Sequence, residues 1–374
     1  MNRLLFLLAV FGLAACGGGG SPAAMNDMAD TTPGDDMTPG DDMTPLAFST
    51  FQAADVVVGQ ATFTANQPAQ GATPGANTLV SPGGSAIAGT SFFVADIGSN
   101  RVLGFDAVPT TNDAPADFVL GQADFMGTSA NQGGTPTAST MAAPWSVRSA
   151  GGLLFVSDFN NNRVLIYSSV PAVGTGADLC VGQADLTSNG AGSGAAGLTS
   201  PRGIHAVGTK LIVCDLANHR VLIWNSIPLL SGQDADLVLG QADFTGTSAN
   251  RGATRGAGTM NAPFGVWSDG TKLAVADGGN NRVLVWNTFP TANGQAADFV
   301  LGQADFAGGA GATSNVGMRV PTDVTGDGDR LFVGDCENNR VLIFRPFPTM
   351  SGTAASVVLG QGDLDHGTGT DDDQ

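Results

Sequence analysis

Lysine and glutamate are almost missing from this sequence, with two lysines and one glutamate among 374 residues. These residue types supply much of the exposed surface of helices, so their shortage argues against a helical protein. Glycine, in contrast, accounts for 54 residues, and many glycines lie with Asn and Asp between short runs of Val, Ile and Phe. This pattern predicts many short β-strands joined by turns.

Positive charge is also scarce. The chain has 15 Lys and Arg against 33 Asp and Glu, which gives a formal net charge of −18 at pH 7. A surface this acidic repels phosphate backbones, so we expect no nucleic-acid partner. The same charge favours solubility.

Residues that commonly carry catalysis are few and scattered. The three histidines are His205, His219 and His366, and the single tyrosine is Tyr167. No Ser-His-Asp pattern and no glycine-rich phosphate loop before a helix is present. We therefore assign no catalytic residue, no metal site and no cofactor from the sequence.

The first sixteen residues, MNRLLFLLAVFGLAAC, have the features of an export signal. Arg3 precedes an apolar run over 4–13 that is too short to span a bilayer, so residues 1–15 are predicted to be a signal peptide. The ending LAAC resembles the lipobox of bacterial lipoproteins, which implies a lipid on Cys16 as the first mature residue. Because Gly17 replaces the Asp that often marks inner-membrane retention, the resemblance implies the outer membrane, on either its periplasmic or its outer side. The alternative is an ordinary signal peptide that contains a cysteine.

Two segments have compositions that cannot bury a core. Residues 16–45 are rich in Gly, Pro, Asp and Met, and the unit TPGDDM occurs there twice; the tail at 365–374 is acidic. We expect both to be disordered and the first to act as a tether. Capture of soft metal ions by its Met and Asp residues is the alternative role. Cys180 and Cys214 lie in apolar strand contexts and are predicted to be buried free thiols.

One phrase returns five times about sixty residues apart, as ADIGSNRVLGF, SDFNNNRVLIY, CDLANHRVLIW, ADGGNNRVLVW and GDCENNRVLIF. A proline stands 14 residues before each of its aspartates, and an arginine 5 residues after. Length varies mainly in the segment that follows a second repeated phrase, VLGQADF. Each unit therefore predicts four strands in register, which in the fourth unit are 262–268, 272–277, 282–287 and 297–306.

Four-stranded antiparallel units that repeat are typical of β-propeller blades. The block from the proline to NNRV resembles the NHL-repeat family, whose domains are β-propellers, and the resemblance covers residues 46–364. We therefore expect an all-β propeller with five blades and an extra GQ strand at its start; six blades are the alternative. The units are longer than those of the family because of the segment after GQ.

Two charged residues occur once in every unit. As a structural set, each aspartate would close a turn and each arginine would bridge to it and to nearby carbonyls. The alternative is a ring of arginines that binds an anionic or sugar ligand. The residues concerned are Asp96, Asp158, Asp215, Asp277 and Asp335, with Arg101, Arg163, Arg220, Arg282 and Arg340.

Residues that differ between units are better candidates for recognition. The first strand of each unit is predicted to be the innermost. Two of its positions, the one just after the opening proline and the one three residues further on, are predicted to line the mouth of a central channel. The mouth lies on the face that carries the Asp–Arg turns and the length-variable segments. Its aromatic and cationic lining suits a sugar, aromatic or peptide ligand, although packing between blades is the alternative for Phe264 and Trp267. The candidate ligand-binding residues are Trp145, Arg148, Arg202, His205, Phe264 and Trp267.

These features favour a lipid-anchored binding or scaffold propeller of the cell envelope, a monomer that holds a protein, peptide or glycan on its loop face. The alternative is a propeller enzyme with a central metal site. A lyase of the peptide-amidating type would need a zinc-binding histidine cluster and a tyrosine, and a lactonase a central glutamate, whereas Glu337 lies in an outer turn. A structural component of a surface layer is a third hypothesis.

Overall fold

The structure, a computed structural model, describes residues 54–169, 171 and 175–367. Its twenty strands form five separate four-stranded antiparallel sheets, each a simple meander. This confirms the all-β propeller with five blades. The predicted signal peptide, Cys16 and most of the linker and tail lie outside the described residues. Within the described part of the chain, no helix has the length and apolar character needed to cross a membrane.

The strands of each blade run outwards from the central axis in chain order. Blade one contains β1 (Pro82–Ala88), β2 (Ser91–Asp96), β3 (Arg101–Phe105) and β4 (Phe118–Leu120). Blade two contains β5 (Pro144–Ala150), β6 (Leu153–Asp158), β7 (Arg163–Tyr167) and β8 (Leu179–Val181). Blade three contains β9 (Pro201–Val207), β10 (Lys210–Asp215), β11 (Arg220–Trp224) and β12 (Leu237–Leu239). Blade four contains β13 (Pro263–Ser268), β14 (Leu273–Asp277), β15 (Arg282–Trp286) and β16 (Phe299–Leu301). Blade five contains β17 (Pro321–Gly326), β18 (Leu331–Asp335), β19 (Arg340–Phe344) and β20 (Val357–Leu359).

Short 3-10 turns mark two places in the repeat. Between the second and third strands they are Ile97–Ser99, Phe159–Asn161, Leu216–Asn218, Gly278–Asn280 and Cys336–Asn338. In the segments after the GQ phrase they are Pro68–Gly71, Ala130–Gly133 and Ala249–Gly252. Because the strands alternate in direction, both kinds of turn lie at the same end of the propeller, which we call the turn face.

The fourth strand of each blade is shorter than predicted. In blade four the sequence predicts a strand over 297–306, but β16 ends at Leu301 because Gly302 has a φ of +83° and turns the chain away. The Gln303 side chain then donates to the carbonyls of Asn281 and Ala310 at 2.8 and 2.9 Å. In the GQ phrase, therefore, the glycine ends the fourth strand, and the glutamine side chain bonds two neighbouring loops together.

Buried apolar side chains from facing blades form the core. Between blades two and three, for example, Phe155, Val164 and Ile166 pack in one cluster with Leu211 and Val213. The inner strands approach closely: a Cβ at Gly203 would lie 2.4 Å from the Phe264 carbonyl oxygen. In this way β1, β5, β9, β13 and β17 pack in succession, whereas β17 and β1 do not approach each other as closely in the described part of the chain.

The segment with the extra GQ phrase, residues 56–63, contacts blade one in the way that the fourth strand of one blade contacts the next blade. The Val57 N–H donates to Asn112 Oδ1 at 2.9 Å, just as the Val238 N–H of β12 donates to Asn293 Oδ1 at 3.0 Å in blade four. The backbone at Val57 is not in a regular strand, in contrast to the prediction. The segment nevertheless covers the outer side of blade one with the same contacts that join successive blades.

A buried ion pair stabilises the turn face of every blade. In blade three, Arg220 Nε donates to Asp215 Oδ2 at 2.7 Å, and both side chains are fully buried. The other Arg220 nitrogens donate to the carbonyls of Phe244, Gly194 and Gly197. One side chain thus joins the end of the second strand, the segment before the first strand and the loop after the fourth strand. The same buried pair joins Arg101 to Asp96, Arg163 to Asp158, Arg282 to Asp277 and Arg340 to Asp335.

The residues around each pair follow from this geometry. Asp215 Oδ1 accepts the Thr199 N–H at 2.7 Å, and Asp215 Oδ2 accepts the Asn218 side chain at 2.8 Å. The residue before the arginine is left-handed in every blade (φ of 54° at His219), which explains why Asn occupies this position in the other blades. Ser99 replaces the bonded Asn in blade one, and its hydroxyl has no partner among the described residues.

Replacement of Arg220 by leucine tests the role of the pair. The change leaves the Asp215 carboxylate and three carbonyls buried without their donor, so we expect the free energy of unfolding to fall by about 3–5 kcal/mol. Urea unfolding followed by circular dichroism measures the loss. Arg319→Leu is the control: Arg319 pairs with Glu337 at 3.5 Å, and both side chains are more than half exposed, so its loss should cost at most about 1 kcal/mol. Equal costs for the two variants would contradict this role.

Candidate functional site

The five inner strands begin at the turn face, where they surround a small cavity. Its volume is about 40 Å³, and Arg148 and Asp323 also border it. We call this cavity and its lining the channel mouth. The side chains or backbone that follow the five opening prolines all line it: Gly83, Trp145, Arg202, Phe264 and Thr322.

Arg202 is held between two aromatic rings. Its Cζ lies 3.9 Å from the centroid of the Trp145 ring and 4.1 Å from that of the Phe264 ring. Because these residues come from blades two, three and four, the guanidinium is stacked between its two neighbours in the ring. Stacking of this kind stabilises a cation that has been partly removed from water.

Both aromatic rings are themselves supported from the turns between the second and third strands. Trp145 packs on Phe159, with ring centroids 5.8 Å apart. Phe264 lies over Gly278, where an added Cβ would come within 2.2 Å of its ring. Phe159 therefore supports the Trp145 ring by direct packing. Gly278 has no side chain, and this leaves room for the Phe264 ring.

A second arginine crosses the channel. Arg148 of blade two donates to Asp323 Oδ2 of blade five at 3.2 Å and to the Ser85 and Val147 carbonyls at 3.1 Å. Its charge and its donors are therefore used within the protein. Asp323 also accepts the N–H of Val324 at 2.9 Å.

Arg202 is different, because its guanidinium makes no hydrogen bond or ion pair with the described residues. Burial lowers the pKa of Arg202 to about 9, and the nearby Asp323 carboxylate acts in the opposite direction. The group is still a cation at neutral pH. The channel mouth thus contains two cations and one anion, of which one cation is unpaired.

The structure does not bring all six candidate ligand-binding residues together. Trp145, Arg148, Arg202 and Phe264 line the channel mouth. Trp267 is 4% exposed and packs on Phe347 with ring centroids 5.6 Å apart, so it belongs to the core between blades four and five. His205 Nε2 is 2.8 Å from the Ser268 carbonyl and joins blades three and four away from the cavity.

The acidic residues of β17 and of the hairpin after it do not form one cluster. Asp323 lies in the channel mouth, whereas Asp327 closes the hairpin after β17 and pairs with Arg330 at 2.6 Å. In the described part of the chain, no group of three His, Cys, Asp or Glu side chains could hold a metal ion. Cys180 and Cys214 are both free and buried.

Three residues of this site, Asp323, Phe159 and Gly278, are not among the ligand-binding candidates predicted from the sequence. Asp323 was detectable, since the other blades have Gly84, Ser146, Gly203 and Gly265 at its position. Phe159 and Gly278 follow the repeated aspartates of their blades. Each matters for the site because an aromatic ring lies against it, that of Trp145 on Phe159 and that of Phe264 on Gly278. That relation is visible only once the inner strand and the turn are known to be adjacent.

The fold and the channel mouth together define this protein as a five-bladed β-propeller with an assembled central site. Neither a protein-family model nor a curated protein matches the chain. Among solved structures it is similar to a chain from a crystal structure of a nidogen/laminin complex, with 14% identity and a TM-score of 0.42 over 75% of this chain and 84% of that chain. It is also similar to a streptogramin B lyase (10% identity, TM-score 0.40, 73% of this chain and 67% of that one). A virginiamycin B lyase from Staphylococcus aureus gives 10% identity and a TM-score of 0.37, over 71% of this chain and 66% of that one. Similarities this low carry no inference about ligand or activity.

The environment of His205 predicts a pH-dependent stability. Burial, with a smaller contribution from the charge of Arg148, lowers the pKa of His205 from 6.5 to about 4. The unfolded chain therefore binds a proton that the folded protein does not, so stability is complete above pH 6.5 and falls as the pH drops towards 4. The expected loss from this residue is about 3 kcal/mol.

Urea unfolding at a series of pH values, with His205→Gln as the comparison, measures this contribution. The glutamine keeps a donor for the Ser268 carbonyl but does not titrate, so its stability should change less between pH 6.5 and 4. Burial also lowers the pKa of His219, but that group is present in both proteins and cancels in the comparison. Identical pH profiles would show that His205 is not the source.

Proposed function

We propose that this protein is a binding scaffold of the bacterial envelope, which holds a protein, peptide or glycan on its turn face. In this proposal a lipid on Cys16 attaches the protein, as a monomer, to the outer membrane, and residues 17–45 act as the tether. The lipobox resemblance of LAAC and Gly17 support the anchor and its location. The channel mouth supports the binding role.

One observation carries the binding role: the residues that build the fold are repeated from blade to blade, whereas the residues just after the five opening prolines, which line the mouth, all differ. The buried Arg–Asp pair is the same in all five blades. The residue after the opening proline is Gly, Trp, Arg, Phe and Thr in turn. Packing alone does not require a stacked, unpaired arginine at that place, since an unpaired polar group costs stability. Residues placed on a rigid frame at such a cost are commonly used for binding.

In-cell cross-linking tests the binding role on the full chain. A variant with Trp145→Ala, Arg202→Ala and Phe264→Ala removes the lining of the mouth. We expect a partner that cross-links to the native protein to be recovered about tenfold less, or not at all, with this variant, because residues at the centre of an interface dominate binding. Cross-linked products are purified and identified by mass spectrometry, and thermal unfolding verifies that the variant is folded.

The matched control changes the opposite face. Leu229 and Leu230 are 81% and 72% exposed in the loop between β11 and β12, so Leu229→Ser with Leu230→Ser alters that face without disturbing the core. The same partner should be recovered with this control. Equal recovery with the mouth variant would overturn the proposal. Stoichiometric bound metal in the purified protein without a partner would instead favour the alternative of a propeller enzyme.

Replacement of Cys16 by serine tests the anchor. The native chain should incorporate a labelled fatty acid and fractionate with the outer membrane, because an acyl chain supplies the membrane affinity. The Cys16→Ser variant should carry no label. Cys180→Ala is the control and should retain the label, since Cys180 is buried within blade two. Absence of label from the native protein would contradict the lipid anchor and favour the alternative, an ordinary signal peptide that contains a cysteine.

A further inference from the structure

The Arg202 guanidinium offers a site of defined chemistry. Trp145 and Phe264 cover its two faces at 3.9 and 4.1 Å, so the five N–H donors at its edge are the part that remains available. These donors make no hydrogen bond with the described residues, and the group borders the cavity of the channel mouth. A planar edge with paired donors matches the two oxygens of a carboxylate.

The charges at the mouth favour an anion. Asp323 is paired with Arg148 at 3.2 Å, which leaves the Arg202 charge without a contact partner. The chain as a whole carries a formal net charge of −18, so a cation placed here is the exception and not part of a basic surface. An incoming negative group would restore the charge balance of a site that is already partly desolvated.

The cavity is small. Its volume of about 40 Å³ has room for roughly three water molecules, so a single carboxylate group can enter it. In addition, Arg202 and Phe159 pack against the Trp145 ring, and Arg202 and Gly278 contact the Phe264 ring, which disfavours stacking of a sugar on either ring.

We propose that the channel mouth binds the carboxylate of a peptide, carried by an acidic side chain or by a chain terminus of a protein partner, through the edge of the Arg202 guanidinium. Arg148 and Asp323 form the opposite wall, and Asp323 repels the ligand enough to keep the site selective. This inference rests on the proposed binding function and specifies the chemistry of its ligand.

Nuclear magnetic resonance titration of the full chain in detergent micelles tests the inference. The probes are three acetylated tripeptides: one with a central glutamate and an amidated end, one with a central glutamine and an amidated end, and the glutamine peptide with a free carboxyl end. The first should shift the Arg202 Nε–H signal in a saturable way, and the second should not. The third shows whether a terminal carboxylate serves as well as a side chain. Inorganic phosphate is titrated in parallel.

Three variants separate the edge of Arg202 from a general effect on folding. Arg202→Gln and Arg202→Lys should each raise the dissociation constant of the glutamate peptide about tenfold or more, the second because an ammonium lacks the planar pair of donors. Asp323→Asn should lower it by about threefold, because a neighbouring negative charge is removed. A gain in affinity cannot result from misfolding.

Several outcomes would overturn the inference: equal shifts with the glutamate and glutamine peptides, no shift with either carboxylate peptide, or binding of phosphate alone. None of them overturns the proposed function. A cross-linked partner that is lost with the mouth variant would still show binding at the turn face, through a chemistry other than a carboxylate.

Discussion

The buried pair between an arginine and an aspartate is the interaction on which each blade depends. Removing two charges from water is unfavourable, and it is offset here because almost every donor and acceptor is used. Arg220 joins Asp215 at the end of β10 to the Gly194 and Gly197 carbonyls before β9 and to the Phe244 carbonyl after β12, which makes three segments of the turn face. An apolar residue could fill the same volume but could not hold three backbone segments in one geometry. The pair therefore accounts for the constant spacing of 14 and 5 residues around each aspartate.

That arrangement confines variation to two places. The segment after GQ changes in length between blades, although each copy supplies carbonyls to the buried arginine, as Thr137 and Thr140 do to Arg163. The residue after the opening proline differs in identity in all five blades, and all five copies line the channel mouth. Glycines keep the inner strands close, as at Gly83 and Gly203, so a small volume remains at the centre. The rigid parts of the repeat thus produce a site in which five different residues meet.

The sequence was sufficient for the blades because strand length, turn residues and spacing all agree in five copies. It was less informative wherever a side chain can take two directions. Arg148, His205 and Trp267 occupy the same position in successive inner strands, yet only Arg148 reaches the channel mouth. The ring of Trp267 gains more from packing on Phe347, and His205 bonds to a neighbouring strand. The length of the fourth strand was overestimated because the left-handed Gly302 looks, in sequence, like part of an apolar run.

The same limit explains why the sequence left the class of ligand open. Two aromatic residues and an arginine near one another suggest a sugar platform as readily as an anion site. The structure favours the anion site, because both aromatic rings of the channel mouth are stacked on Arg202. Once both faces of the guanidinium are covered, its edge becomes the part with unused bonding capacity, and an edge of paired donors is selective for a planar anion. In the proposed mode of binding, the aromatic residues hold the Arg202 cation in place, and the ligand would be recognised through that charge.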